Sequence, residues 1–237
     1  DYPSDRNFSD GPEDIYQEDV YVGYRYFSTF APECVRYAFG YGLSYTEFAI
    51  CITSVKEEKD TVTFNGKVRN TGKFAGKEVV MVYVNPPRGL LGRPLRMLGG
   101  FTKTDILAPG EEADFEIIVN LEYITAYDDS GITGHAHCEL LEAGEYQWYV
   151  GNDVSRAEKV ATTVIDELRV FRQCKDVLMP RKSFARMYPA VENGAVRMEW
   201  KEVPVTKVTM QERMAADPDN APGTDYRTLP AFYRDAV

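Results

Sequence analysis

The chain has 237 residues, 44% hydrophobic and 27% charged, with a formal charge of -10. That composition is ordinary for a globular protein, and the length admits one large domain or two small ones. The acidic balance excludes nucleic acid as a partner, since phosphate binding needs a basic face, and no apolar run approaches the ~20 residues of a membrane span. Aromatic residues make up 13% of the chain, which suits β-rich packing and also sugar-facing surfaces, and a neutral sugar needs no charge match.

Residues 1–35 read as polar loop with a short strand, punctuated by turn clusters at 1–5 and 10–14. The run Val20-Tyr21-Val22-Gly23-Tyr24-Arg25-Tyr26-Phe27 predicts a buried strand or inter-element segment rather than a helix. Tyr21, Tyr24, Tyr26, Phe27, Phe30 and Tyr37 are dense enough to form a seam between structural units, in preference to a platform for a sugar ring. In the stretch from Tyr37 to Phe48, Gly40 and Gly42 alternate with Phe39, Tyr41 and Tyr45. Glycine accepts backbone angles that a Cβ forbids, so this stretch predicts a sharp bend packed with rings, where one unit ends and another starts.

From Tyr45 to about Ile165 the pattern is all β. Val62, Phe64 and Val68 alternate with polar residues, apart from an irregularity at Gly66. The strand at 78–84 stops at Pro86-Pro87, because proline cannot donate to a ladder. Turns at 70–72, 108–111 and 143–145 separate further short strands. Seven or so strands at this spacing predict an all-β, two-sheet sandwich of immunoglobulin or fibronectin III type. After Asp166 the pattern weakens. Residues 168–174 continue a strand or form a short amphipathic segment, 208–215 predict a short helix capped by Thr209, and the remainder reads as an extended, proline-broken tail that needs other protein to lie on.

Charge is uneven along the chain. Residues 1–50 carry nine acids and three bases, while 167–213 carry ten bases and six acids. Solvated surface is the preferred reading, and the alternative is a basic tail lying on an acidic body. Cys34, Cys51, Cys138 and Cys174 form no C-x-x-C pair and read as buried free thiols of a reducing compartment, which favours a cytoplasmic location. The chain opens at Asp1-Tyr2-Pro3 without Met and with no secretory signal, as a piece cut from something longer would.

Six motifs carry a resemblance to family 3 glycoside hydrolases, the β-glucosidase family. Residues 1–8 resemble the end of that family's α/β sandwich domain. Tyr21-Val22-Gly23-Tyr24-Arg25-Tyr26-Phe27 and the glycine-aromatic junction at 39–48 follow, then Val68 to Val80 with Asn70-Thr71-Gly72, Arg93-Pro94 with Leu98 to Lys103, and Leu107 to Glu111 with Glu142 to Tyr146. The resemblance covers roughly residues 1–155. It implies a C-terminal edge of an α/β sandwich domain and junction at 1–43, a fibronectin type III-like domain at 44–166, and a connector at 167–237. Residues 202–213 are similar to the connector of the subgroup with reversed domain order, in which a (β/α)8 barrel would follow.

The resemblance implies a parent that hydrolyses terminal β-D-glucosyl residues with retention. That chemistry needs an Asp nucleophile from the barrel and a Glu acid/base from the α/β sandwich. Neither is carried onto this sequence: no catalytic, cofactor-binding or metal-binding residue is assigned here, and no cofactor is implied. The implied partners are the parent's barrel and α/β sandwich, which would bind most of the β-glucoside; a homodimer is compatible with the resemblance.

The remaining chemistry candidates have plainer readings. His135 and His137, near Asp128, Asp129 and Cys138, suit a metal less well than a hairpin loop, because imidazoles two apart need a third spaced ligand. Asp10, Glu13, Asp14, Glu18 and Asp19 are loop carboxylates without an apolar pocket. Trp148 reads as core, and Trp200 as an anchor of the tail on another domain. The rival function is a free-standing carbohydrate-binding sandwich, which predicts a flat row of exposed rings on one sheet face. A third is a structural subunit that assembles with separate or cleaved partners.

Overall fold

The computed structural model describes residues 16–174, 183–193 and 195–203. A helix α1 (Tyr24–Phe30) is followed by strands β1 (Phe48–Glu57), β2 (Thr61–Asn70), β3 (Val79–Asn85), β4 (Met97–Lys103), β5 (Glu112–Asn120), β6 (Ala126–Asp128), β7 (Cys138–Leu141), β8 (Gly144–Gly151), β9 (Glu158–Ile165), β10 (Arg169–Gln173), β11 (Ala185–Glu192) and β12 (Ala195–Glu202). A three-stranded sheet in the order β1-β2-β5 faces a four-stranded sheet in the order β4-β3-β8-β9. All their pairings are antiparallel. This is the expected two-sheet sandwich of fibronectin III type.

The core lies between the two sheets. β2 alternates its faces, burying Val62, Phe64, Gly66 and Val68 on one side. Gly66 is not an irregularity but an inward position: a Cβ there would meet the Phe115 ring at 2.5 Å and the Cys51 carbonyl at 2.4 Å. Opposite them stand Val80, Val82 and Val84 of β3 and Trp148 of β8, all fully buried. The Trp148 ring lies 5.4 Å from that of Phe64, and its Nε1–H donates to Thr163 Oγ1 at 2.9 Å. Burying such side chains is the main favourable contribution of the fold, since each fully buried large apolar group is worth roughly 1.5–3 kcal/mol.

In a third sheet β7 pairs with both β6 and β10, and it joins the same core through Leu141 and Phe171. A hairpin, β11-β12, completes the described structure. The described part of the 167–237 stretch, expected as an extended connector, is thus built of paired strands. β11 lies on earlier parts of the chain: the Met187 amide donates to the Gln17 carbonyl at 2.9 Å, and Met187 is buried. Proline spacing misled the reading here, because Pro189 sits inside β11 without breaking it. The helix expected at 208–215 lies outside the described residues.

A second departure is α1. Residues 24–30 are helical rather than extended. Aromatic side chains favour strands only when a pleated surface receives them, and here the helical spacing lets Tyr26 and Phe30 pack with ring centroids 5.6 Å apart.

Candidate functional site

The segment before the sandwich covers part of the outer face of the four-stranded sheet. Tyr24 leaves α1 to stack on Phe39, with centroids 4.5 Å apart and planes at 17°, and meets Tyr83 of β3 edge-on. Its hydroxyl accepts from the Leu98 amide at 2.9 Å. Tyr83, Val154 and Ala157 form a second buried cluster, against which Tyr24, Ala38, Met81, Leu98 and Tyr149 pack. Phe39 is fixed from behind, because the Val154 amide donates to its carbonyl at 2.9 Å. Gly40 adopts a φ of 91°, and a Cβ there would meet the Asn152 carbonyl at 2.6 Å and the Asp153 Cα at 2.8 Å. The Gly-aromatic stretch is therefore a bend pressed onto the sheet, as the sequence predicts.

What the bend leaves outward is apolar. Tyr37, Phe39 and Tyr41 are 41–60% exposed, and Leu43 and Tyr45 are 92% and 94% exposed. Beside them Tyr24, Phe27, Val35, Tyr37, Phe39 and Val154 line an open cleft of about 290 Å³. Arg36, whose guanidinium lies 5.4 Å from the Tyr37 ring centroid, is the cation at this edge. Clustered exposed apolar side chains of this kind mark an interaction surface.

Asn70, the first residue of the Asn-Thr-Gly motif, anchors the far side of the junction. It is fully buried. Its Oδ1 accepts from Thr46 Oγ1 at 2.6 Å and from the Gly72 amide at 3.0 Å, while its Nδ2 donates to the carbonyls of Phe74 and Leu107 at 2.7 and 2.9 Å. One side chain thereby ties the start of β1 to two later loops. Gly72 is required beside it, since a Cβ would lie 2.2 Å from Thr46 Oγ1.

Arg93 of the Arg-Pro motif is also buried, donating to the Ile124 carbonyl. Burial pulls its pKa down from the ordinary guanidinium value, opposed by neighbouring Tyr146, Glu142 and Tyr21. Glu142 accepts from the Leu90 and Leu91 amides, so it holds the 88–92 loop, and burial pushes the Tyr146 hydroxyl up to about 12.

The residues weighed for catalysis or metal binding are occupied in other ways. Asp128 is fully buried and organises the 128–133 loop. Its Oδ1 accepts from the Ser130, Gly131 and Ile132 amides, and its Oδ2 from the amide and hydroxyl of Thr133. Burial disfavours its charge, but the hydrogen bonds from Thr133, Gly131 and Ser130 outweigh that and hold its carboxyl below the usual range. His137 follows that loop, its amide donating to the Asp128 carbonyl at 2.6 Å and its Nδ1 3.1 Å from the Tyr127 hydroxyl. Among the described residues no group of three or more His, Cys, Asp and Glu side chains is placed to hold a metal.

Asp10, Glu13 and Asp14 lie outside the described residues, whereas Asp19 pairs with Arg186 at 3.5 Å. Trp148 is core, as expected; Trp200 is 46% exposed on β12. Of the five described basic side chains of 167–213, Arg169 pairs with Asp60, Arg172 with Glu139 and Arg186 with Asp129, while Arg197 pairs with Glu192 inside the tail. The acidic 1–50 stretch contributes Asp19, beside Arg186. Alternating strand residues gave no signal for these pairs beyond the opposite charges of the two regions.

The fold and this surface define a fibronectin type III-like module with structured flanks and an uncovered aromatic junction. Residues 78–154 match the family model of the Fibronectin type III-like domain. The chain is 46% identical over 208 residues to a β-glucosidase of Ruminococcus albus, a match covering 88% of this chain and 21% of that protein. A solved β-glucosidase from Paenibacillus barengoltzii superposes with a TM-score of 0.86 at 39% identity, covering 90% of this chain and 24% of that one. A family 3 (GH3) β-glucosidase of Bifidobacterium adolescentis matches at 28% identity and a TM-score of 0.59, over 91% of this chain and 27% of that one. The chain belongs with the glycoside hydrolases of family 3, as the portion that contains their fibronectin type III-like domain. It spans about a fifth of the length of the curated relatives it matches.

Proposed function

We propose that this chain is the non-catalytic, structural portion of a retaining β-glucosidase-like enzyme that hydrolyses terminal β-D-glucosyl residues. Its role is to scaffold packing against the parent's α/β sandwich and (β/α)8 barrel, which bind the β-glucoside and supply the nucleophile and acid/base. In this reading 1–43 is the edge of the α/β sandwich domain and the junction, 44–166 the fibronectin type III-like domain and 167–237 the connector in the reversed domain order.

The observation that carries the reading is the junction surface. Leu43 and Tyr45, more than nine-tenths exposed, stand on a bend that is otherwise pressed firmly onto the sandwich. Apolar groups displayed on so rigid a support suit a packing partner. The match to one fifth of a β-glucosidase supports where that partner comes from. The exposed rings on strands, Phe101 of β4, Tyr127 of β6 and Trp200 of β12, sit on three different sheets, which disfavours the flat sugar-binding row of a free-standing module. The expected burial of the thiols holds for Cys138 but not for Cys34 and Cys51, which are exposed; all four are free, which supports a reducing, cytoplasmic setting.

The test is turnover of an aryl β-glucoside by the purified chain, with titration calorimetry against cello-oligosaccharide at millimolar concentration. The reading expects neither hydrolysis nor saturable heat. Hydrolysis that co-purifies with the chain would overturn the scaffold role, and saturable heat without hydrolysis would favour the carbohydrate-binding module.

A further inference from the structure

The hairpin β11-β12 touches three separated parts of the chain. Its Met187 amide reaches the Gln17 carbonyl ahead of α1. Tyr188 reaches the loop between β3 and β4, where its hydroxyl donates to the Leu90 carbonyl at 3.1 Å. That loop bends at Gly92, with φ 66°, and comes so close that a Cβ there would lie 2.8 Å from both Pro189 Cδ and Tyr188 Cε2. The third contact is Arg186. Its two terminal nitrogens donate to the two Asp129 oxygens at 2.7 and 3.0 Å, and Nη1 lies 3.5 Å from Asp19.

The Arg186 contact differs from the tail's other ion pairs in what it joins. Asp19 belongs to the segment that precedes the sandwich, and Asp129 to the loop fixed by the buried Asp128 next to it. Two carboxylates from separate segments are thus brought to one guanidinium. Remove the guanidinium and they repel each other across a half-buried site, so Arg186 contributes to holding the two segments together. Bidentate geometry also fixes the direction of approach of β11.

Among the described residues, the hairpin's other packing is β12 lying beside α1 and Val203 buried at its base. A two-stranded sheet is marginal alone. β11 buries Met187 and Pro189, whereas every β12 residue except Val196 and Met198 is exposed. Its base closes through the Val203 amide, which donates to the Phe184 carbonyl at 2.8 Å. Such an element, rich in specific contacts and poor in core, is the kind that opens as a unit while the rest stays folded.

We propose that the β11-β12 hairpin is a clasp that docks and undocks as one unit, with Arg186 as its latch between Asp19 and Asp129. Closed, it locks the segment carrying Gln17 to Asp19 onto the loops at that end of the sandwich. The chain on either side of the sandwich is thereby coupled: docking of the hairpin after it adds to the hold on the Gln17–Asp19 stretch before it. The clasp does not depend on the enzyme reading, and it stands or falls on the chain's own exchange behaviour.

Native-state hydrogen exchange on the 237-residue chain tests it, comparing the parent sequence, Arg186→Ala, and the charge swap Arg186→Asp with Asp129→Arg. In Arg186→Ala the Met187, Val203 and Tyr21 amides are expected to exchange faster together, by about tenfold or more. The Val82 and Val150 amides, in the centre of the sandwich, are expected to keep their rates. The swap, which restores opposite charges at the same two positions and keeps a cation near Asp19, is expected to recover most of the lost protection. Unchanged exchange at Met187 and Val203 in Arg186→Ala would overturn the latch. An equal acceleration of hairpin and sandwich amides would overturn the clasp as a separable unit, and so would loss of hairpin protection without any change at Tyr21.

Discussion

Asn70 illustrates how one side chain can make a motif necessary. All of its amide hydrogen-bonding groups are engaged inside the protein, linking Thr46, Gly72, Phe74 and Leu107. Asn70→Ala removes the partner of the Phe74 carbonyl and the Thr46 hydroxyl, while the Leu107 carbonyl keeps the Gly76 amide and the Gly72 amide keeps the Glu47 carbonyl. The expected cost is about 2–4 kcal/mol, read from chemical denaturation of the chain. At Gly40 the backbone itself is the constraint. Gly40→Ala is expected to cost about 1–3 kcal/mol, because φ is positive and the added methyl meets main-chain atoms that cannot swing away. Asp128 gives a pH signature. Its folded pKa is below the ordinary value, so its contribution is fully present above the unfolded pKa of about 4 and is lost as pH falls through the lower folded value. Asp19 runs the other way: burial, followed by the opposing effect of Arg186, leaves its pKa raised, so its contribution is lost as pH rises through that value. Asp128→Asn should therefore flatten the acid limb of the stability profile, measured by denaturation between about pH 2 and pH 5.

At the scale of elements, the strands were legible and their surroundings less so. The period-2 pattern of 61–69 identified β2 and its inward face from Val62 to Val68, because a sandwich strand faces the same core along its whole length. Gly66 looked like an error in that pattern only because its inward neighbour, the Phe115 ring, comes from a strand fifty residues on. α1 was misread for a related reason. Seven residues hold barely two turns, so composition outweighed period, and the sheet that receives Tyr24 is remote in sequence. The hairpin was hidden by Pro189, which sits at a register position opposite Met198 in a two-stranded sheet, where one edge of each strand is free of ladder bonds. Of the candidate surface, the ring-and-glycine bend was readable from residues 37–48, whereas which rings it turns outward depended on the Val154 amide, remote in sequence, that holds the Phe39 carbonyl. The core makes a simpler test. Trp148→Ala removes the largest buried side chain from between the sheets and is expected to cost about 3–5 kcal/mol in the same denaturation experiment.

At the scale of the molecule, two features are set against each other. The interior is closed, with Val62, Phe64, Val82 and Trp148 sealed between the sheets, so the sandwich needs no partner to form its core. Its junction surface is open, carrying Tyr37, Tyr41, Leu43 and Tyr45. A support that is complete inside and apolar at one outer edge fits the scaffold role proposed above. The most direct test is thermal unfolding of the double variant Leu43→Asp with Tyr45→Asp in two settings: the 237-residue chain, and the enzyme-length parent that the proposed function supposes. The account expects a change within about 0.5 kcal/mol in the chain alone, as for ordinary surface positions. In the enzyme-length protein it expects a clear fall in melting temperature and in aryl β-glucoside turnover. Equal stability of variant and parent in both settings would contradict it.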